Sequence, residues 1–197
     1  LYLYFIKVGK GDLLMAKKQV LLSDEAREPL KSGADELANA VKITLGPKGR
    51  NVVLDKKFGS PVITNDGKSI AREIEFEDLP KNVGASLLSQ AALKASDMAG
   101  GGTATSTVLA QAIIREGIKA VVAGANPILL KKGIDKATDA VVKSIRSKSK
   151  ELKTREEIIQ IATVASNNDN EIGILIADAI DKVGKDGVIT IEEAKGV

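Results

Sequence analysis

The sequence predicts a mainly α-helical protein with small β elements. Several long stretches place apolar residues three or four positions apart, which is the spacing of one helix face. Two short β-prone stretches flank residues 58–61, where glycine, serine and proline favour a reversal of the chain. Turn-forming residues separate the helical stretches, and no fixed-period repeat is present. We therefore expect packed helices and one β-hairpin.

The composition excludes several classes of site and partner. The 197 residues are 44% hydrophobic and carry a net charge of +3, as in an ordinary globular protein. The absence of Cys and His excludes thiol nucleophiles, Cys/His zinc sites and histidine general bases. Basic runs and interleaved aromatic residues are lacking, which disfavours nucleic acid. No apolar run approaches the roughly 20 residues of a membrane span, so we expect a cytoplasmic protein without a membrane partner.

The first fourteen residues, LYLYFIKVGKGDLL, differ in composition from the rest of the chain. They hold both tyrosines and one of the three phenylalanines. Met15 then opens MAKKQV, a plausible translation start. We interpret residues 1–14 as a non-native or upstream leader.

The first predicted helix has its apolar residues at helical spacing from Ala26 to Leu45, and it ends at Gly46 and Pro47. Pro29 disfavours a helix interior, because its ring removes a backbone hydrogen bond. We therefore expect either a start near Glu28 or a kink.

A hairpin is predicted next, over residues 51–64 (NVVLDKKFGSPVIT). Asn65, Asp66 and Gly67 then predict a turn. The acidic residues between 73 and 78 alternate as in a strand, and their simplest interpretation is a solvated face.

Three consecutive core-facing helices follow, with apolar spacing over residues 83–98, 109–121 and 130–145. Asn126 is expected to cap the third helix and Pro127 to occupy its first position. Thr154 with Glu157 predicts a capping box for a shorter helix, and Asp169 predicts the cap of another. That helix is expected to stop at residues 184–187, before a final unpaired strand over residues 188–192 (VITIE).

The segment from Gly100 to Thr107, GGGTATST, carries the clearest chemical signal. Its glycines run directly into an apolar helix, so free backbone N–H groups and hydroxyls converge where helices bind anions. No GK[ST] follows, so it is not a Walker A loop. The alternative is a flexible connection between two helices.

Two further features are ambiguous by themselves. The loop from Thr44 to Gly49 either takes part in a site or simply stops a helix. Asp66 could act as a general base or an outer metal ligand, although Asp-Gly is also ordinary turn chemistry.

Two motifs together resemble the amino-terminal part of a group I (GroEL-type) chaperonin subunit: TLGPKGRNVVLD at Thr44 to Asp55 and GGGTATSTVLAQAI at Gly100 to Ile114. The similarity runs without an obvious gap from about Met15 to Ile191 and matches the first part of a longer polypeptide. It implies that residues 15–147 are the N-terminal half of the equatorial domain, which binds ATP and forms rings. Residues 148–197 would be the ascending part of the intermediate domain, truncated, with the border near Ser147 to Thr154.

The resemblance also implies a site, with ATP and Mg²⁺ as cofactors. Asp66 corresponds to a carboxylate that the family uses in hydrolysis. The positions that correspond to ATP contacts are Thr44, Leu45, Gly46, Pro47, Asn65, Gly101, Gly102, Thr103, Ala104 and Thr105.

The chain departs from the family pattern at three of these positions. Gly101 replaces the aspartate that binds magnesium, so we predict no metal-ligating residue in this chain. Ala104 replaces a threonine, and Asn65 stands where a lysine is common. We expect weaker nucleotide binding and an ATPase activity near background.

By resemblance, the function is that of an ATP-dependent chaperonin subunit that promotes refolding. Unfolded polypeptides and a co-chaperonin would bind through domains that this chain lacks, and other subunits would join it in stacked rings. The hairpin resembles the stem loop that pairs with a neighbouring subunit, and exposed apolar helix faces are expected. Two alternatives are a catalytically silent fragment that associates with intact rings and a non-functional partial gene product.

Overall fold

A mainly helical chain with one small β-hairpin is observed, which confirms the predicted fold class. The computed structural model describes residues 20–46, 48–56, 59–184 and 187–190. The predicted leader and Pro47 lie outside these residues. The helices are α1 Ser23–Val41, α2 Gly67–Glu73, α3 Leu79–Ala99, α4 Thr103–Val122, α5 Pro127–Lys148, α6 Arg155–Ala165 and α7 Asn170–Val183; the strands are β1 Val52–Leu54 and β2 Val62–Thr64; a 3₁₀ turn spans Lys42–Thr44.

The chain divides into two compact units, Leu1–Asp135 and Lys136–Val197. The first unit contains α1 to α4 and the hairpin, and the second contains α6 and α7; α5 crosses the division. The domain border expected near Ser147 to Thr154 follows from the family resemblance, whereas this division into units follows from compactness. The expected border therefore stays a prediction.

Helix α1 is the centre of the first unit. It packs against α3 and α4 and also contacts α2. The buried core consists of small and branched apolar side chains from α1, α2 and α3: Ala34, Leu37, Ala38, Val41, Ile70, Ala71, Ala85 and Leu88. Burying such side chains is the dominant favourable contribution to folding. The core therefore fixes α2 and α3 around α1, and these helices carry the loops of the candidate site.

Helices α1 and α3 approach each other through glycine. A methyl group on Gly33 would lie 1.8 Å from the carbonyl oxygen of Lys81, and one on Gly84 would lie 1.9 Å from the carbonyl oxygen of Leu30. These separations are far below van der Waals contact. The crossing therefore requires a residue without a Cβ at both positions.

The close crossing also determines which face of α3 is buried. Leu88 is buried as predicted, but Leu87 is exposed and Met98 is 81% exposed. Smaller residues take the remaining buried positions of α3: Gly84, Ala85, Ser89, Ala92 and Ser96. The apolar pattern missed them because it follows hydrophobicity, whereas a close helix crossing selects for size.

A polar contact joins α1 to α4. The Asp35 carboxylate accepts hydrogen bonds from Gln111 Nε2 at 2.8 Å and Arg115 Nε at 2.6 Å. Burial raises the pKa of Asp35, but the bonds from Arg115 and Gln111 outweigh it and hold this pKa below its usual value. The ionised carboxylate thus fixes the position of α4 relative to α1.

Of the two alternatives for Pro29, a helix start near Glu28 is wrong, and the kink stays a prediction. Helix α1 begins at Ser23, so that Pro29 is its seventh residue. Proline removes one backbone hydrogen bond from the helix. Ala26 in the preceding turn is fully buried, so the helix already packs against the rest of the unit before it reaches Pro29.

The turn predicted at residues 65–67 is also corrected, whereas the acidic stretch is exposed to solvent as interpreted. Asp66 caps α2, a helix that the sequence interpretation missed. Among the described residues, the only strands are β1 and β2, so the alternating acids do not form one. Asp78 instead caps α3 by accepting a hydrogen bond from the Lys81 N–H at 2.8 Å. Aspartate is a strong N-cap residue, and this local bond decides the conformation.

The predicted hairpin is present. Strands β1 and β2 are antiparallel, with Val52 opposite Thr64, Val53 opposite Ile63 and Leu54 opposite Val62. Val53 and Ile63 are 65% and 69% exposed. The hairpin therefore presents an apolar cross-strand pair to solvent, while Val52 and Leu54 pack against the core.

Helix α5 was predicted to face the core, and this is wrong: none of its 22 residues is buried. Asn126 and Pro127 begin it as expected, with the Asn126 side chain accepting from the Ile128 N–H at 2.9 Å. Leu130 and Ile134 line an open apolar groove of about 290 Å³ that α4 also borders. Periodicity identifies the apolar face of a helix but does not tell whether another element covers it.

The second unit is a pair of helices, each capped as predicted. Thr154 and Glu157 form the capping box of α6, and the Asp169 side chain caps α7. Arg155 at the start of α6 forms ion pairs with Asp178 and Asp181 of α7. These pairs join the start of α6 to the last turns of α7, but because they are about half exposed they add little to stability.

Helix α7 ends at Val183, as expected from the glycine that follows. Residues 188–190, the described part of the predicted final strand, have no strand conformation, and no partner strand pairs with them there. Residues 191 and 192 lie outside the described residues. Within the described part of the chain, no helix is both long and apolar enough to span a bilayer.

Candidate functional site

The glycine segment connects α3 to α4 through two left-handed residues. Gly100 ends α3 with φ +70°, and Gly102 begins α4 with φ +84°. Residues with side chains rarely adopt this conformation. Gly102 also brings no capping side chain to α4, so the first-turn N–H groups point out of the helix without a side-chain acceptor. The segment has the geometry of an anion cradle at the positive end of a 20-residue helix.

Gly101 differs from the glycines on either side of it. Its φ lies outside the left-handed region, and no atom lies within 4 Å of the position that a Cβ would occupy. The backbone therefore accepts a side chain at residue 101. The fold of the loop therefore does not require glycine at this position.

The other glycine loop follows α1. The Thr44 hydroxyl donates to the Val41 carbonyl at 2.8 Å, and the Gly49 N–H donates to the Gly46 carbonyl at 2.9 Å. Leu45 is extended and partly exposed. The 3₁₀ turn that carries Thr44 packs against α4. The fold therefore places this loop against α4, the helix that the glycine segment begins.

The Asp66-Gly67 segment meets the first turn of α4 directly. A Cβ on Gly67 would lie 3.6 Å from the Ala104 backbone nitrogen, 3.7 Å from the Ala104 Cβ and 3.4 Å from Val41 Cγ1. Asn65 and Asp66 are exposed beside it. The structure thus brings parts of three separate sequence segments to α4: the turn that ends at Thr44, Gly67 directly after Asn65 and Asp66, and the glycine segment that leads into Thr103, Ala104 and Thr105. The roles of Leu45, Gly46 and Asn65 as nucleotide contacts stay predictions. Pro47 lies outside the described residues.

Asp66 holds the start of α2 with both carboxylate oxygens. Oδ1 accepts from the Lys68 N–H at 3.2 Å, and Oδ2 accepts from the Ser69 N–H at 2.9 Å and from the Ser69 hydroxyl at 2.6 Å. Burial raises the pKa of Asp66, but the bonds from Ser69 and Lys68 together lower it below the usual value. The carboxylate is therefore ionised at neutral pH, and its catalytic role stays a prediction.

Asp66→Ala should lower the free energy of unfolding by about 1 kcal/mol at pH 7, because it removes the cap of α2. The lowered pKa means that the cap contributes fully above the unfolded value of 3.8 and is lost as the pH falls below it. The difference in urea unfolding between Asp66→Ala and the unchanged chain should therefore shrink as the pH falls below 3.8. Asp66→Asn, which retains a capping oxygen, is the control. A difference that is independent of pH would contradict the assignment.

An ion pair that the sequence did not indicate lies at the end of α3. Lys68 Nζ of α2 is 2.6 Å from Asp97 Oδ1. The hydrogen bond and charge of Lys68 lower the pKa of Asp97. The two residues are 29 positions apart, and a local pattern gives no signal for such a pair.

The donors around the glycine segment suit an anion rather than a metal ion. Among the described residues, no group of three or more acidic side chains could hold a metal. Asp66 is engaged with the start of α2, and Asp97 is paired with Lys68. A cavity of about 680 Å³ with four carboxylates does exist, but Arg72, Glu73 and Phe76 place it at the opposite end of α2.

Comparison with known proteins gives a consistent result. A sequence model of the TCP-1/cpn60 chaperonin family matches residues 37–196. This range includes both glycine loops and all seven helices except the first part of α1.

Two solved structures share the fold. One is a group III chaperonin in the open state, 24% identical, with a TM-score of 0.68 over 81% of this chain and 32% of that chain. The other is the chaperonin gp146 from the bacteriophage EL 2 (Pseudomonas aeruginosa), 24% identical, with a TM-score of 0.72 over 88% of this chain and 30% of that chain. The chain spans less than a third of either protein.

Proposed function

Since the chain belongs to the TCP-1/cpn60 chaperonin family, we propose that its glycine loops form part of the ATP site of a chaperonin subunit of the group I type. The observation that carries this proposal is the uncapped first turn of α4 behind two left-handed glycines. Backbone N–H groups at a helix start bind phosphate. The gp146 chaperonin was solved in the presence of ATP-BeFx, which agrees with a nucleotide ligand in this fold.

The residues on α4 fit a nucleotide in a simple arrangement. The triphosphate would lie on the backbone of Gly102, Thr103 and Ala104, with the Thr105 hydroxyl available at the exposed surface. The loop that contains Thr44, Leu45, Gly46 and Pro47 would flank the nucleotide, and Asn65 would lie near the phosphates. Asp66 would be the carboxylate that acts in hydrolysis in a complete site.

Magnesium does not fit this site as the chain stands. Mg²⁺ is a hard cation that is usually bound through one or two carboxylates together with phosphates. Gly101 supplies no side-chain oxygen, and both carboxylate oxygens of Asp66 are held by Lys68 and Ser69 at the start of α2. We therefore assign ATP binding to this chain and a hydrolysis rate near background.

The activity of the whole protein is proposed by relationship alone, since the chain spans less than a third of its structural relatives. It would promote refolding of unfolded polypeptides, aided by a co-chaperonin, in rings of subunits. Two features of the hairpin support a ring contact: its Val53–Ile63 pair is exposed, and among the described residues no further strand pairs with its outer edges. The alternatives are a silent partner of intact rings and a non-functional partial product.

Two neighbouring glycines provide a matched test of the phosphate cradle. Gly102→Ala should abolish the rise in thermal unfolding temperature that ATP produces, because alanine disfavours the left-handed backbone that starts α4. Gly101→Ala should keep that rise, since its backbone accepts a Cβ. A ligand that binds only the folded state at 100 times its Kd stabilises by about 2.7 kcal/mol, which thermal unfolding detects easily. No rise with the unchanged chain, or an equal rise in both variants, would refute the proposed cradle.

A further inference from the structure

The Lys68–Asp97 ion pair is only partly buried. The Lys68 side chain is 32% exposed and that of Asp97 is 61% exposed. Exposed ion pairs contribute little to stability, because water screens them and both side chains lose freedom. Lys68 can therefore exchange its partner for another anion at low cost.

The position of the ammonium group relates it to the glycine segment. Asp97 lies in the last turn of α3, three residues before Gly100. Gly67, which precedes Lys68, packs against the first turn of α4. Lys68 is thus next to a residue that contacts one end of the glycine segment, and its Nζ contacts the helix at the other end.

The negative charges near the glycine segment make a cation beside it necessary for binding a triphosphate. Asp66 and Asp97 both have lowered pKa values and are ionised near the segment. Arg72 also acts on Asp97, but from the last turn of α2, farther along that helix. A triphosphate beside two carboxylates needs nearby positive charge, and neither Asn65 nor Gly101 supplies it or binds a metal that would.

We propose that Lys68 is a phosphate-binding residue that leaves Asp97 and contacts the triphosphate of the nucleotide at the glycine segment. This inference rests on the proposed ATP site and adds a specific residue and a competition to it. Asp97 holds the lysine when the site is empty, and the phosphate takes its place when the site is filled. Lysine suits this role because it binds phosphate as a point charge on a flexible stem. Nucleotide binding should therefore need no divalent metal.

The test is ATP binding measured by calorimetry in a buffer with chelator. Lys68→Gln should weaken binding by about tenfold or more, as expected for a lost charge-assisted contact, and Lys68→Arg should largely restore it. Lys81→Gln is the matched control, because Lys81 also has an ion pair, with Glu36 at 2.7 Å, at the opposite end of α3. Its effect should stay within about twofold, since about 24 Å of helix separate it from Asp97. Circular dichroism of each variant verifies the fold.

Asp97→Asn should change ATP affinity in the opposite direction from Lys68→Gln. It should tighten ATP binding, both by freeing Lys68 and by removing a negative charge. The double variant with Lys68→Gln separates these two causes, because only the second survives when the lysine is absent. An equal gain in both backgrounds, or unchanged binding in Lys68→Gln, would overturn the role of Lys68 while leaving the ATP site intact. No ATP binding by the unchanged chain would overturn both proposals.

Discussion

Gly84→Ala is expected to lower the free energy of unfolding of the first unit by about 3 kcal/mol, near the upper end for overpacking. The new methyl group would lie 1.9 Å from the Leu30 carbonyl oxygen and within 2.7 Å of two further backbone atoms of that residue. Backbone atoms cannot rotate away as a side chain can. The helices α1 and α3 must separate, and the core between them opens.

Gly133→Ala is the matched control for this prediction. Gly133 is also inside a helix, α5, but nothing lies within 4 Å of its Cβ position. Alanine there should stabilise by about 0.5–1 kcal/mol, because it favours the helix over glycine. Urea unfolding followed by circular dichroism compares the two variants. Equal stability of Gly84→Ala and the unchanged chain would refute the close crossing.

The second large effect is expected from Gly101→Asp, which should make ATP binding depend on magnesium. The backbone accepts the side chain without strain or contact, so the fold is unchanged. In chelator, the added carboxylate repels the phosphates and weakens binding. With Mg²⁺ the same carboxylate becomes a metal ligand, and binding should strengthen by about tenfold or more, about 1.4 kcal/mol.

Gly101→Asn controls for the size of the new side chain. Asparagine has nearly the same shape as aspartate but no charge, so it should bring little dependence on Mg²⁺. Calorimetric titration of both variants with ATP, in chelator and then in Mg²⁺, gives the comparison. The same response to Mg²⁺ in both variants would show that residue 101 does not face the phosphates.

Local sequence signals predicted much of the fold. Thr154 with Glu157, Asp169 and Asn126 each cap a helix where expected, because a cap depends on contacts within one turn. The hairpin was also predicted, because its turn residues and the two β-prone stretches beside them are close in sequence. What local signals missed depends on tertiary packing: α1 begins before Pro29 and buries Ala26 within the first unit, and none of the residues of α5 is buried.

The candidate site shows the same division. The residues of the glycine segment left two alternatives open, an anion site and a flexible connection between helices, and the left-handed Gly100 and Gly102 agree with the geometry of the first. The contact between Gly67 and Ala104 joins segments 37 residues apart, and the Lys68–Asp97 pair joins two helices. No pattern along the chain indicates such neighbours. The difference between Gly101, which can accept a side chain, and its left-handed neighbours is visible only in the backbone angles.

We propose that this chain retains the phosphate cradle of a chaperonin ATP site without its magnesium ligand. Calorimetric titration of the unchanged chain with ATP, in chelator and again in Mg²⁺, tests it most directly. We expect saturable binding in chelator that Mg²⁺ does not strengthen. The absence of binding, or binding that appears only with Mg²⁺, would contradict the claim.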